Sequence, residues 1–380
     1  MKSDEGSATD WERYSEQVAE LESIYTKSAN RKIAFLVVTS VLLATTSAIA
    51  LSIGPVKISI MDTLKVLGHA FLPGLIDGPE KWWYNNIILN DRCSRVVLCI
   101  LAGFSLAVSG AVMQNILRNP LVSPFTLGVS SAASFGAAVG ILFGTGITGS
   151  VMLFGHEFFM KNMFLVALAF VSALGSIAFV IILSRRRNIS RSTIILTGVI
   201  VSYLFQAGVS LCKYFSDDDA LREITLWLLG GMWNACWGVD ILLIPIVIAG
   251  VIVLEFFSTK INVLSAGEDV ASNLGINVPR LRSTSLIVCT LITSVCIAFT
   301  GIIGFIGLIA PHVCRMFIGN DSRYLFPASG LLGALVLLIS DTVARMIISP
   351  EELPVGIIMY ILGGIFFVWL IGNKKKEVRF

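Results

Sequence analysis

STSLIVCTLITSVCIAFTGIIGFIGLIAPHVC, residues 283–314, runs between Arg282 and Arg315 without an aspartate, glutamate, lysine or arginine. A helix advances about 1.5 Å per residue, so about 20 apolar residues cross the ~30 Å hydrocarbon layer of a membrane. This run is too long for one crossing. Lysine and arginine gather on the cytoplasmic side of membrane proteins, and placing both flanking arginines there requires an even number of crossings. Gly301, Gly304 and Gly307 supply a flexible point near the middle, where the chain can return.

The rest of the chain has the same character. Of 380 residues, 55% are hydrophobic and 14% charged, against about 25% charged in a soluble domain. Mean hydropathy is +0.83. A soluble enzyme is excluded, and the net charge of +3 forms no basic stripe for nucleic acid. Apolar stretches at 33–56, 96–117, 123–144, 164–183, 193–212, 241–257, 325–343 and 355–372 add eight crossings to the two above. The expected fold is an all-α membrane protein, a polytopic bundle of ten transmembrane helices over residues 33–372. The first stretch is too long, and its polar lead too acidic, for a cleaved signal peptide. Cytoplasmic clusters would be Arg31 and Lys32, Arg118, Arg185 to Arg187 with Arg191, Lys260 with Arg280 and Arg282, Arg315 with Arg323, and Lys374 to Lys376. Both termini, 1–32 and the basic tail 373–380, then lie in the cytoplasm.

Small residues recur at every fourth position: Gly103, Ala107 and Ala111 in one stretch, Gly128, Ala132, Gly136, Gly140 and Gly144 in the next. Such faces let helix backbones pack closely, which is ordinary bundle construction.

Several chemistries have no residues to carry them. There is no G-x-x-x-x-G-K-[ST] loop for nucleotide. His69, His156 and His312 are scattered, the seven cysteines form no C-x-x-C pair, and no metal or disulfide framework follows. The cysteines read as packing residues, with a Cys212–Cys236 bridge as a minor alternative. Glu255 and Asp341 lie towards span ends, where interfacial solvation can satisfy them, so buried carboxylates for an ion-gradient carrier are lacking.

Residues 262–282, NVLSAGEDVASNLGINVPRLR, break the pattern. Glu268 to Leu274 favour a short helix with its acidic pair in the first turn, Ser265 as a cap, Gly275 as the stop and Pro279 beyond. A second short segment would complete a helix pair, a shaped knob instead of a plain linker.

AGEDVASNLG (266–275) resembles the coupling segment of FecCD-type permeases of ABC importers, which carry iron–siderophore complexes, haem and cobalamin. Further matching strings follow in order: Arg92-x-x-Arg95, Gly103, Gly110, Gln114, RNPL (118–121), Pro124, Gly128, Trp227, Gly230, GFIGLIAPHVCR (304–315), DTVAR (341–345) and LPVG (353–356). The resemblance covers about residues 91–372. It implies a homodimeric permease that rests on a pair of ATPase subunits, receives a substrate-binding protein and makes or breaks no bond in its cargo. ATP and Mg would be bound by the ATPase, and this chain would hold no cofactor.

By the same resemblance, Gly267, Glu268, Ala271, Leu274 and Gly275 contact the ATPase, and Arg92, Arg95 and Arg345 offer their guanidinium forks to acidic residues of the binding protein. For Arg345 a local pair with Asp341, four residues earlier on the same face, is the alternative, and the two roles are compatible. Ser202, Gln206, Ser210 and Lys213 share one helical face, and the family's fifth span borders the translocation channel. Interhelical hydrogen bonding is the alternative. His312 is expected to hold a structural hydrogen bond. A ferric siderophore is the first-choice cargo, a corrinoid or haem the second, and a gradient-driven carrier the rival class. Before the first span, Trp11, Tyr14, Val18, Leu21 and Tyr25 recur three or four apart as one face of an amphipathic helix. Its acidity argues against an anionic lipid partner, and its occupant is left open.

Overall fold

A computed structural model describes residues 5–372 except 57, 73, 75–77, 80 and 186–190, with 5–25, 71, 184 and 185 as backbone only. The basic tail, Arg186, Arg187 and the side chains of Arg185 and the N-terminal amphipathic face lie outside the described residues. The backbone at the N-terminus is helical, and it continues without a break into the first apolar stretch as α1 (Glu5–Ser52).

In chain order α1 is followed by α2 (Ile60–Phe71), α3 (Trp83–Asn85), a π-helical turn (Asn86–Arg92) and α4 (Cys93–Leu117). Next come α5 (Val129–Gly144), the hairpin β1 (Ser150–Leu153) and β2 (His156–Phe159), α6 (Met160–Arg185) and α7 (Arg191–Phe215). Then follow α8 (Asp218–Leu229), α9 (Trp237–Ala266), α10 (Glu268–Asn273) and α11 (Val278–Thr300). The chain closes with α12 (Ile306–Ile318), α13 (Ser322–Ile347) and α14 (Val355–Gly372). Among the described residues eight helical stretches are long and apolar enough to cross a membrane, and α5 and α12 are shorter apolar helices.

The bundle is built around α4, which is buried along nearly its whole length and packs on α9, α11, α12 and α13. Its small residues are the reason. A Cβ on Gly103 would lie 2.6 Å from the Gly333 carbonyl oxygen, and one on Gly110 only 1.9 Å from that of Gly307. The expected small-residue face of α5 works the same way against α6, where a Cβ on Gly136 would stand 2.2 Å from the Leu168 oxygen.

The long uncharged run does divide near its glycines. α11 stops at Thr300, residues 301–305 are not helical, and α12 starts at Ile306. Gly301 takes φ 67°, a region closed to most side chains. α5 begins six residues later than expected, because Ser123 and Thr126 close a turn on each other and Gly128 adopts φ 85°. The β1–β2 hairpin was not expected. It pairs Ser150 with Phe159 and Leu153 with His156, and turns on Phe154 and Gly155, both at positive φ, as a two-residue hairpin requires.

The bundle has two polar ends. At one, Asp321 caps α13 and accepts from Asn262 Nδ2 at 2.7 Å, with Lys32 Nζ at 3.4 Å, so it ties α1, α9 and α13 together. Beside it Arg315 donates to Gln114 and, at 3.0 Å, to Asn115. The hairpin marks the other end. All seven cysteines are free, so Cys212 and Cys236 are not bridged. His312 does not make the expected hydrogen bond. Among the described residues its Nε2 has no partner, and its ring packs edge-on against Phe366 with centroids 5.8 Å apart.

Candidate coupling and docking surfaces

The knob is a single short helix rather than a pair. α9 runs to Ala266, Gly267 turns the chain, α10 covers Glu268–Asn273, and after Asn277 the chain enters α11 directly. Ser265 is not the cap, since its hydroxyl donates to Asn262 O within the last turn of α9. The stop is as expected: Gly275 sits at φ 78°, its N–H donates to Ser272 O and that of Ile276 to Ala271 O. This is the paired closure of a Schellman motif, which needs a residue at ease in the left-handed region.

The face of α10 differs from the expectation at Ala271. Ala271 is wholly buried against this chain's own helices, while Val270 (45% exposed) and Leu274 (67%) point outwards. A helix this short shows no periodicity from which its inner face could be read. Glu268 also turns inwards: its Oε1 lies 2.8 Å from Arg191 Nε and 2.9 Å from Arg282 Nη2. Partial burial disfavours the charged carboxylate, but the Arg282 and Arg191 guanidiniums outweigh that and hold it below the ordinary glutamate range. Gly267, Glu268 and Ala271 therefore shape the knob, and Leu274 and Gly275 belong to its open surface.

Ser202, Gln206 and Ser210 lie on α7 as predicted. Gln206 and Ser210 are exposed and Ser202 half-buried. The serine hydroxyls donate to Gly198 O and Gln206 O of their own helix, at 2.9 and 3.0 Å, instead of bridging to a neighbour. Tyr203 and Leu204 beside them are also exposed, so this side of α7 is open in the single chain.

Arg92, Arg95 and Arg345 do come together, at the hairpin end, on one cavity of about 460 Å³ that Asp91, Trp233 and Glu352 also line. Their guanidiniums are engaged within the chain. Arg92 donates to Leu51 O at 2.7 Å and to Val56 O. Arg95 forks onto Asp341 at 2.8 and 3.0 Å and reaches Glu352 at 2.7 Å. Arg345 lies 3.1 Å from Asp341 Oδ2, the expected local pair, and donates to Ile53 O. Asp341 is 1% exposed. It is satisfied by arginines and not by interfacial solvation as its place in the sequence suggested.

One carboxylate escaped the sequence reading. Asp240 lies inside α9, fully buried near Ser94, and neither of its oxygens is in hydrogen-bonding geometry with a described donor. It stands one residue outside the apolar stretch 241–257, because α9 starts earlier, at Trp237.

The FecCD transport family matches residues 42–373. The hemin transport system permease protein HmuU of Yersinia pestis is 34% identical over 78% of this chain and 86% of its own. The cobalamin import system permease protein BtuC of Halobacterium salinarum is 36% identical over 77% and 74%. Among solved structures, "An inward-facing conformation of a putative metal-chelate type ABC transporter" superposes with a TM-score of 0.76 at 29% identity, covering 89% of this chain and 98% of that one. A bundle centred on α4, a short helix set between two spans, and a family match over nearly the whole length agree: this chain is an ABC importer permease of the FecCD transport family.

Proposed function

We propose that two copies of this chain form the path of a metal-chelate importer, with a partner ATPase pair at the α10 end and a substrate-binding protein at the hairpin end. In this reading α5 and α12 join the eight longer stretches to make ten crossings, and both termini are cytoplasmic. ATP and Mg bind in the partner, and this chain moves cargo without chemistry of its own. The observation that carries the reading is Val270 and Leu274, two apolar side chains left open on a knob whose Ala271 is buried and whose Glu268 is held by Arg191 and Arg282. Exposed apolar groups framed by polar ones suit a protein seat.

Asp fits poorly in such a seat. Leu274→Asp is expected to leave the permease folded and lower ATPase affinity about tenfold or more, the size of one interface anchor. Titration of the purified ATPase against the detergent-solubilised permease measures it. Ala271→Lys, by contrast, is expected to destabilise the knob itself, because the new charge would be buried.

For cargo, the hydroxyls and amide on α7 offer no strong ligand, which suits sliding past a bulky chelate. A ferric siderophore is the first reading. HmuU and BtuC stand at nearly equal identity to this chain, so overall similarity gives haem and corrinoid the same support. The chelate that co-purifies with the cognate binding protein decides among them.

Asp240 favours a second reading, a carrier driven by an ion gradient, since a buried carboxylate in a span is the usual ion or proton relay. Proteoliposomes holding permease, ATPase and binding protein separate the two. The importer predicts vanadate-sensitive uptake that survives ionophores. Uptake without nucleotide, abolished by ionophores, would establish the carrier.

A further inference from the structure

The knob is fastened to more than its neighbours in sequence. α10 packs on α9 and α11, the helices it connects. Through Glu268 it also reaches α7: the carboxylate lies between Arg282, in the first turns of α11, and Arg191, the first residue of α7. The two halves of this contact differ. The Arg282 side chain is 2% exposed and that of Glu268 38%, so this half of the contact is anchored on a buried cation. The Arg191 side chain is 35% exposed. Loss of the first takes a carboxylate away from a buried cation, whereas the second joins two partly exposed groups and can part at little cost.

α7 is the helix with the stripe Ser202, Gln206 and Ser210. Arg191 lies eleven residues before Ser202, about 16 Å along a rigid helix. A displacement of α10 therefore reaches the pathway helix at its end, through one polar joint, without passing through the packed core around α4. α7 is suited to follow. It packs on α5, and a Cβ on Gly198 would stand 2.7 Å from the backbone of Leu127 in the turn before α5, while the opposite side of α7 is open. Arg118 completes the group, donating to Leu264 O in the last turn of α9.

We propose that Arg191, Glu268 and Arg282 form a transmission clamp in which Glu268 carries motion of α10 to α7, with Arg191 as the positioning residue on the pathway side. This rests on the permease reading above. A merely structural fastening would stabilise the fold and leave the ratio of ATP hydrolysed to chelate moved unchanged, so that ratio is the measurement.

The test uses proteoliposomes with the dimeric permease, its ATPase and its binding protein loaded with the co-purifying chelate. In Arg191→Gln the Glu268–Arg282 pair persists. ATP hydrolysis is expected to stay within about twofold of the unaltered complex while ATP used per chelate rises about tenfold, a coupling of ordinary size. Arg191→Lys should restore most of it. The double variant Arg191→Gln with Glu268→Gln should be no worse than Glu268→Gln alone, the mark of one shared interaction. An unchanged ratio in Arg191→Gln, multiplicative effects in the double variant, or loss of ATPase binding in Arg191→Gln would each overturn the clamp. Uptake by the unaltered permease without its ATPase would instead overturn the permease reading.

Discussion

Gly110→Ala is expected to leave no folded permease. The new methyl carbon would stand 1.9 Å from the Gly307 oxygen and 2.6 Å from its carbonyl carbon, both backbone atoms. Neither side can move aside cheaply. Gly110 is in the middle of α4, buried on every face, and Gly307 is in the first turn of α12, directly after the non-helical stretch 301–305. The same Gly307 carbonyl accepts from Gln114 Nε2 at 2.9 Å, so pushing it away also strains a buried hydrogen bond. Overpacking a core ordinarily costs about 1–3 kcal/mol, and a clash between two backbones belongs at or above the top of that range. Gly175→Ala is the control: nothing lies within 4 Å of its Cβ position, and α6 should gain up to about 1 kcal/mol of helix propensity. Detergent-solubilised Gly110→Ala should aggregate or melt far below the unaltered protein, with Gly175→Ala at or above it. Equal melting of the two variants would mean that α4 and α12 do not cross there.

That contact was half legible in the sequence. Small residues at every fourth position announce a close-packed face, but not which helix meets it, and Gly110 and Gly307 are far apart in the chain. The division of 283–314 was readable because glycine marks a hinge and the uncharged run is too long for one helix of ordinary span length. The Schellman stop at Gly275 was readable because one residue determines it. The hairpin was not, since a turn on Phe154–Gly155 lacks the Asn-Gly or Asp-Gly pair that usually announces one. Side-chain partners divide the same way. Asp341 and Arg345 stand four residues apart on one helix and could be paired on paper. Arg95 and Glu352, or Arg191 and Glu268, meet only because the bundle folds, and nothing local marks them. Arg92 and Arg95 accordingly looked free for a visitor when their guanidiniums are engaged by their own chain.

The consequence is sharpest at Asp341. Asp341→Asn is expected to unfold or severely destabilise the permease in the absence of any binding protein. Asp341 is the carboxylate shared by Arg95 and Arg345, and its side chain is 1% exposed against 14% and 4% for theirs. Removing the charge leaves Arg95 with Glu352 alone and Arg345 with no carboxylate beside a site that Arg92 already lines, and breaking a buried pair from one side costs about 3–5 kcal/mol. Glu352→Gln is the contrast. Its side chain is 25% exposed and partners Arg95 alone, so about 1 kcal/mol or less is expected. Salt sorts structure from docking. A buried network is screened little, so the loss in Asp341→Asn should be nearly the same at low and high ionic strength, whereas a surface contact with an acidic binding protein would weaken as salt rises. Charge reversal at Arg92 or Arg95 should follow the same pattern, with lowered thermal stability of the isolated chain and little salt dependence. If Asp341→Asn instead melts like the unaltered protein and fails only to bind its extracytoplasmic partner at low salt, the arginines serve the visitor and Asp341 merely orients them.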